Sequence, residues 1–337
     1  MKLVEIAQRI GCELRGDGAV EITGTAPIEN AGPGQLTFLA HPRYGQFLTT
    51  TRASAIILAT SADEVAIPSL RAADPYLAFA KALGLFYQPP HFIPGVHPTA
   101  VVATNATIGA NAAIGPYVVI GERTTIAAGA QIAAHVVIAE DVIIGRNFTA
   151  HSFVSVRERV HIGDGVTLQS GAKIGGDGFG YTADEHGQIM KIPQTGRVVI
   201  EDEVEIGANA TIDRAAVGDT IIRRAAKIDN LVMIAHGCDV GSGAMLAAQV
   251  GISGSTRVGR FVRMGGQAGS AGHLTIGDGA QIAAQSGVPN DVAAGVTVGG
   301  YPAVEMQVWR RISAALPRLP ELFRRVRRLE RTAAEKG

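Results

Sequence analysis

The sequence predicts a mainly β protein: a solenoid of short parallel strands, preceded by a small α/β domain and followed by helices. Three observations carry this. Every sixth residue from Val96 to Ile174 is apolar, beginning Val96, Val102, Ile108, Ile114 and continuing without a miss. At 47% hydrophobic residues, an unbroken run of that length has a chance probability of ~10⁻⁵. Glycine directly follows many of these aliphatics, as at Gly109, Gly115, Gly121, Gly145, Gly163 and Gly175. Finally, 42 glycines beside only 5% aromatics suit tight, repeated turns better than a layered core.

A period of six is neither the 3.6 of a helix nor the 2 of a long strand. Each hexad is therefore read as a short strand and a turn that together bury one aliphatic. The register breaks after Ile174, at GGDGFGYTADEHGQIMKIPQTGR, and resumes at Ile200, Ile206 and Ile212. A second slip at AAVGDTI precedes a run from Ile222 to Val288 in which Ser270 is the one non-aliphatic member. These breaks predict loops near 175–198 and 213–221, thrown out of one continuous solenoid over 96–300. The pattern resembles the hexapeptide-repeat family, which implies a left-handed parallel β-helix, a triangular prism with 18 residues per coil. Some ten coils at about 4.8 Å each would stand about 50 Å tall.

Residues 1–95 show no hexad. There LTFLAHPRY and ASAIILA read as strand, turn and strand with flanking helical segments, a separate α/β domain. The proline-dense LFYQPPHFIPGVHP is the expected junction. Over 301–337 the spacing becomes helical, with Leu319, Leu322, Phe323, Val326 and Leu329 on one stripe and Arg324, Arg325, Arg327 and Arg328 around it. Two readings stand: an amphipathic helix packing on the solenoid or in an oligomer, and a docking site for an acidic partner.

Charge excludes some classes. Thirty basic residues balance thirty acidic ones, which argues for neither nucleic acid nor a membrane surface. No apolar run is long enough to span a bilayer. Cys12 and Cys238 are too few for a disulfide framework, and charges interrupt the apolar residues of MKLVEIAQRIGCELRGDG, so a reducing cytoplasmic compartment is expected. No G-x-S-x-G elbow, P-loop or C-x-x-C pair occurs, leaving covalent serine or cysteine chemistry and a zinc site without support.

The repeat does hold one chemically suggestive column. One coil beyond His236 is Gly254, and two coils beyond is Gly272, the neighbour of His273. A base, a backbone N–H without side-chain obstruction and a second imidazole would then share one edge, as acyl transfer requires. The competing reading is that histidines on such a surface are ordinary, as His135, His151 and His161 would be. Cys238 is expected to point inward.

Taken together, GGDGFGY, KIPQTGRVVIEDEVEIGANATIDR, IDNLVMIAH and SAGHLTIGD, with LTFLAHPRY in front and VWRR behind, resemble a specific family. It is that of the UDP-3-O-(3-hydroxyacyl)glucosamine N-acyltransferases of lipid A biosynthesis, and the resemblance covers nearly the whole chain. It implies transfer of a (3R)-hydroxyacyl chain from the 4'-phosphopantetheine thioester of acyl carrier protein to the 2-amino group of the UDP-sugar. It further implies a homotrimer with active sites between subunits, and neither metal nor other cofactor. His236 then corresponds to the base, Gly254 to the oxyanion donor and His273 to a second active-site histidine. Phe38 and Tyr44 correspond to aromatics that hold uracil, and His41 stands where the family commonly has asparagine. On residue type alone, two aromatics in a small domain, such as Phe38 and Tyr44, are more often core than a sandwich for a planar base. Asp229 could orient His236, bind the carrier's arm, or be a plain corner residue. Arg324, Arg325 and Arg328 would meet the acidic carrier.

Three alternatives stay open. A related UDP-N-acetylglucosamine O-acyltransferase shares the hexads and a histidine base but lacks the aromatic front domain. A zinc carbonic anhydrase on the same prism needs three histidine ligands. A non-catalytic β-helical scaffold would leave His236 idle.

Overall fold

The computed structural model describes residues 1–88, 92–300 and 303–334. Pro89, Pro90 and His91 of the expected junction, and residues 301–302 and 335–337 of the expected tail, lie outside the described residues. The chain divides into two compact units, Met1–His91 and Phe92–Gly337.

In the first unit, helix α1 (Leu3–Ile10) places Leu3, Ile6, Ala7 and Ile10 on one buried face and ends at Gly11, whose φ of 73° a side chain would resist. A five-stranded sheet follows, made of β1 (Glu13–Arg15), β2 (Gly24–Thr25), β3 (Gln35–Phe38), β4 (Ala55–Ala59) and β5 (Ser69–Ala72), in the order β1-β5-β4-β3-β2. Only β1 runs antiparallel to its neighbour. The continuous apolar run AIIL in β4 is buried, as a central parallel strand requires. The expected strand, turn and strand is β3, a 3₁₀ turn over Pro42–Phe47, and β4. Asp74 caps helix α2 (Pro75–Phe86) by accepting N–H bonds from Tyr76 and Leu77.

The second unit is a parallel β-helix whose three sheets contain 10, 9 and 11 strands. Strand partners are generally 18 residues apart, as in Val119 with Val137. The sequence reading needs correcting in one respect: a hexad buries two side chains, not one. Val136 and Ile138 both point inward, as do Val142 and Ile144, because alternate residues of an extended strand share a face. The turn that follows uses a left-handed residue, for example His135 at φ 61° or Asp141 at φ 59°. That conformation costs a non-glycine residue about 1–2 kcal/mol. Part of the cost is offset because the same N–H bonds to the coil below, as His135 does to the Pro116 carbonyl at 3.1 Å.

The first coil departs from the pattern. Val96, expected inside, is 51% exposed. Its coil begins the stack, so only one side of it is covered by another coil.

Both insertions are shorter than the broken periodicity indicated. Residues 175–177 and 197–198 belong to strands Lys173–Asp177 and Arg197–Ile200, and residues 213–214 and 219–221 to strands Thr211–Arg214 and Asp219–Ile222. These strands run past the prism corner by pairing with each other, Gly176 with Asp213 and Asp177 with Arg214, across a register shift after Ile174. The first insertion also folds a hairpin of its own, Tyr181–Ala183 with Ile189–Lys191.

Helices α3 (Met306–Ala315) and α4 (Leu319–Ala334) bury no side chain. The α4 stripe is therefore amphipathic but uncovered, with Phe323 63% exposed. No helix among the described residues is long and apolar enough to cross a membrane.

Phe148 is completely buried in the solenoid interior, whereas Phe153 lies outside, stacked on His135 at 5.2 Å. Phe148→Ala is expected to cost about 3–5 kcal/mol and Phe153→Ala under about 1.5 kcal/mol, read from urea midpoints. Equal losses would contradict this assignment of inside and outside.

Candidate active site

His236 occupies the corner after strand Met233–Ile234 and is partly buried. The parallel register pairs Met233 with Gly251 and Gly251 with Gly269. Continued past the strands, it stacks Arg214, His236, Gly254 and Gly272 in one column. The imidazole lies directly against Gly254: a Cβ there would stand 2.5 Å from both Cε1 and Nε2 of the ring. At the other end of the side chain, a Cβ on Gly178 would stand 2.6 Å from His236 Cβ. Two glycines thus make room for one imidazole.

The Gly254 N–H makes no hydrogen bond among the described residues. Its carbonyl accepts the His273 N–H at 3.0 Å, and the His236 carbonyl accepts the Ser255 N–H at 2.9 Å. His273 takes the left-handed turn conformation, φ 60°, with its side chain exposed. The structure therefore brings His236, Gly254 and His273 to one edge. A proton acceptor beside an unpaired amide donor is an arrangement able to deprotonate a nucleophile and hold an oxyanion.

Cys238 is fully buried, with Sγ 3.2 Å from the Ser253 carbonyl. Burial pushes its thiol up to about 11, which keeps it protonated and unreactive at neutral pH. Asp229 stands at a different corner from His236. There its carboxylate accepts the Asn230 N–H at 2.7 Å and lines a groove of about 1020 Å³ with Met245, Arg263 and Gln281. Within one chain the structure does not bring Asp229 to the imidazole.

Sequence reasoning missed the polar cluster in the coil below His236. The Arg214 guanidinium is buried, donating from Nε to the Gly175 carbonyl at 2.7 Å and from Nη1 to Glu158 at 2.6 Å. Burial opposes ionisation of Glu158, yet hydrogen bonds from Arg214 and Arg157 hold its carboxyl at about 2. Gln194 is buried too, with its Oε1 unpartnered. Next to Arg214, Asp213 is pushed up to about 6 by burial and then by the charge of Asp177. The available signal was GGDGFGY, whose alternate glycines mark a backbone packed closely against something.

In the first unit Phe38 ends β3, partly buried, and stacks on Phe79 with centroids 4.1 Å apart and planes at 18°. One of its faces thus serves the domain's own core. Tyr44 is exposed on the 3₁₀ turn. His41 caps that turn, its Nδ1 accepting the Arg43 N–H at 3.1 Å, and its ring meets Tyr44 edge-on at 6.5 Å. A ring nitrogen here accepts the backbone bond that an asparagine oxygen would accept. On α4 all three predicted arginines are exposed. Arg325 pairs with Glu321 at 2.5 Å, Arg324 reaches only its own helix at the Pro320 carbonyl, and Arg328 makes no ion pair among the described residues.

The family profile of UDP-3-O-(3-hydroxymyristoyl) glucosamine N-acyltransferase matches residues 19–85, and that of the bacterial transferase hexapeptide, six repeats, matches 141–176. The UDP-3-O-acylglucosamine N-acyltransferase 3 of Gloeobacter violaceus is 47% identical over 334 residues, covering 99% of this chain and 97% of its own. The UDP-3-O-acylglucosamine N-acyltransferase 1 of Koribacter versatilis is 48% identical over 338 residues, covering 99% and 100%. The chain belongs to this N-acyltransferase family. Among solved structures, the Arabidopsis UDP-N-acetylglucosamine acyltransferase has a TM-score of 0.53 at 22% identity, over 64% of this chain and 76% of its own, a likeness of fold.

In this N-acyltransferase, Asp213 makes stability depend on pH. Its raised pKa means that the folded protein holds the proton more tightly than the unfolded chain. The contribution is therefore most favourable below about pH 4 and is lost as pH rises through about 6. Asp213→Asn is expected to stabilise by about 1–2 kcal/mol at neutral pH, after allowance for solvent screening, and not at all below about pH 4. Thermal melts of both proteins across that range check it.

Proposed function

We propose that this chain transfers a (3R)-hydroxyacyl group from acyl carrier protein to the 2-amino group of a UDP-3-O-acylglucosamine, with His236 as general base. The observation that carries the reading is the His236 ring lying against Gly254, whose N–H is unpaired. The amine attacks the thioester carbonyl and gives a proton to His236 as the C–N bond forms. The Gly254 N–H holds the resulting oxyanion. Collapse breaks the C–S bond, and His236 returns the proton to the departing thiolate of the carrier. No step is routed through a metal or other cofactor.

His273 assists from two positions. Its backbone N–H engages the Gly254 carbonyl, in the peptide that follows the one carrying the donor N–H, and its exposed imidazole is available to substrate phosphate. The acceptor is supported by the names of the relatives that match over the full chain. Exposed Tyr44, with the face of Phe38 not stacked on Phe79, would hold uracil, and His41 lies beside them. Asp229, lining an open groove, would contact the carrier's pantetheine arm.

The arginines of α4 support an acidic carrier as donor. The uncovered apolar stripe of the same helix supports a homotrimer that buries it, with active sites between subunits. Two free cysteines fit a cytoplasmic location.

His236→Ala is expected to lower kcat by 10²- to 10⁴-fold at saturating substrates while ligand binding and assembly persist, and to abolish a limb of the pH dependence of kcat/KM. His273→Ala should cost less. Near-wild-type rates in both variants would overturn the assignment of the base.

Reversing Arg324 and Arg328 to glutamate should weaken use of a carrier-bound donor and reduce its salt dependence, while a pantetheine-linked donor is barely affected. Equal loss with both donors would instead indicate damaged helix packing.

A further inference from the structure

The first insertion leaves the solenoid at the catalytic corner. Its strand Lys173–Asp177 pairs with Thr211–Arg214, and Gly178, the next residue, backs onto His236. Gly180 is held as closely, since a Cβ there would stand 2.6 Å from Gln194 Nε2, and Gln194 in turn donates to the Ile192 carbonyl at 2.9 Å. An ion pair between Lys191 and Asp177 ties the two legs together. The base of the hairpin is thus anchored beside the imidazole.

Beyond that anchor the hairpin presents apolar side chains to solvent. Phe179 is 83% exposed, Ile189 72% and Met190 53%, and Tyr181 lies edge-on to Phe179 at 5.0 Å. A two-stranded ribbon has no core of its own and is marginal in water unless its apolar side is covered.

We propose that this hairpin seats the hydrocarbon chain that the acceptor already carries on its 3-oxygen, a proposal that rests on the N-acyltransferase reading of the site. The ester oxygen is on the carbon next to the one bearing the amine. With the amine at His236, the chain must leave the centre beside the imidazole. The two glycines divide the space around that side chain. Gly254 meets the ring tip, where the donor carbonyl has to lie to reach the amide N–H, whereas Gly178 meets the Cβ end, from which the hairpin springs. The acceptor's chain, not the donor's, is on the hairpin side. Phe179, Ile189 and Met190 then exchange water for methylene groups as the substrate binds.

The test uses the full chain and two UDP-glucosamine acceptors, one with a long 3-O-hydroxyacyl chain and one 3-O-acetylated, with dissociation constants measured by calorimetry. Wild type should prefer the long chain, and Phe179→Ser and Met190→Ser should each reduce that preference roughly tenfold at unchanged mass by light scattering. An unchanged preference in both variants, or equal weakening of both acceptors, would overturn the proposal. So would a fall in mass, which would make the hairpin a contact between copies. Acyl transfer by the wild type, assayed separately, tests the reaction alone: binding of the long-chain acceptor without transfer would remove the reaction and leave the hairpin's ligand standing.

Discussion

The solenoid depends on one constraint, the parallel hydrogen bonding of each coil to the next at a fixed offset of 18 residues. That ladder aligns every position of a coil with the same position above and below. Interior columns must then be apolar apart from a few small hydroxyl residues such as Thr124, Thr256 and Ser270, and corner columns must accept the left-handed conformation. Coils contribute by stacking, and neither end of a single coil is satisfied alone. The half-covered first coil and its exposed Val96 show what happens where the ladder begins.

The geometry around His236 is a product of the same ladder. His236 and Gly254 face each other because they are one coil apart, and no side-chain interaction is needed to bring them together. The ladder also restricts what can stand there. Any side chain at position 254 would collide with the ring, so room for the imidazole comes from the absence of a Cβ. Below this pair the ladder is interrupted twice, with partners 38 and then 22 residues apart. The pair of buried Arg214 and partly exposed Glu158 lies where these offsets begin. Such a pair is a poor source of net stability but a strong constraint on register, since losing Glu158 would strand the buried Arg214 charge.

Legibility followed the periodicity. Where the offset was constant, counting placed Gly254 against His236 and His273 beside both. Where insertions changed the offset, counting failed, and Asp213, Arg214, Glu158 and Gln194 went unnoticed. Arginine and glutamate ordinarily read as surface residues, and only the strand extension past the corner takes Arg214 inside. In the first unit LTFLAHPRY was recognisable, but the stacking of Phe38 on Phe79 joins residues from a strand and a later helix, which no local pattern connects. Asp229 was seven residues from His236 and a corner away from it, because proximity along the chain is not proximity on a prism.

By itself the sequence determined the six-residue repeat, the apolar columns, the division into a front domain, a solenoid and terminal helices, and the one column that holds an imidazole over a glycine. These are local or strictly periodic properties, and a regular ladder converts spacing directly into height. Tertiary structure alone decided which residue pairs close the two irregular coils, that the Asp213 carboxyl is partly removed from water beside Asp177, and that an apolar hairpin is anchored against His236. These depend on where the chain returns after an excursion, which is set by packing and desolvation in three dimensions and leaves no period to count.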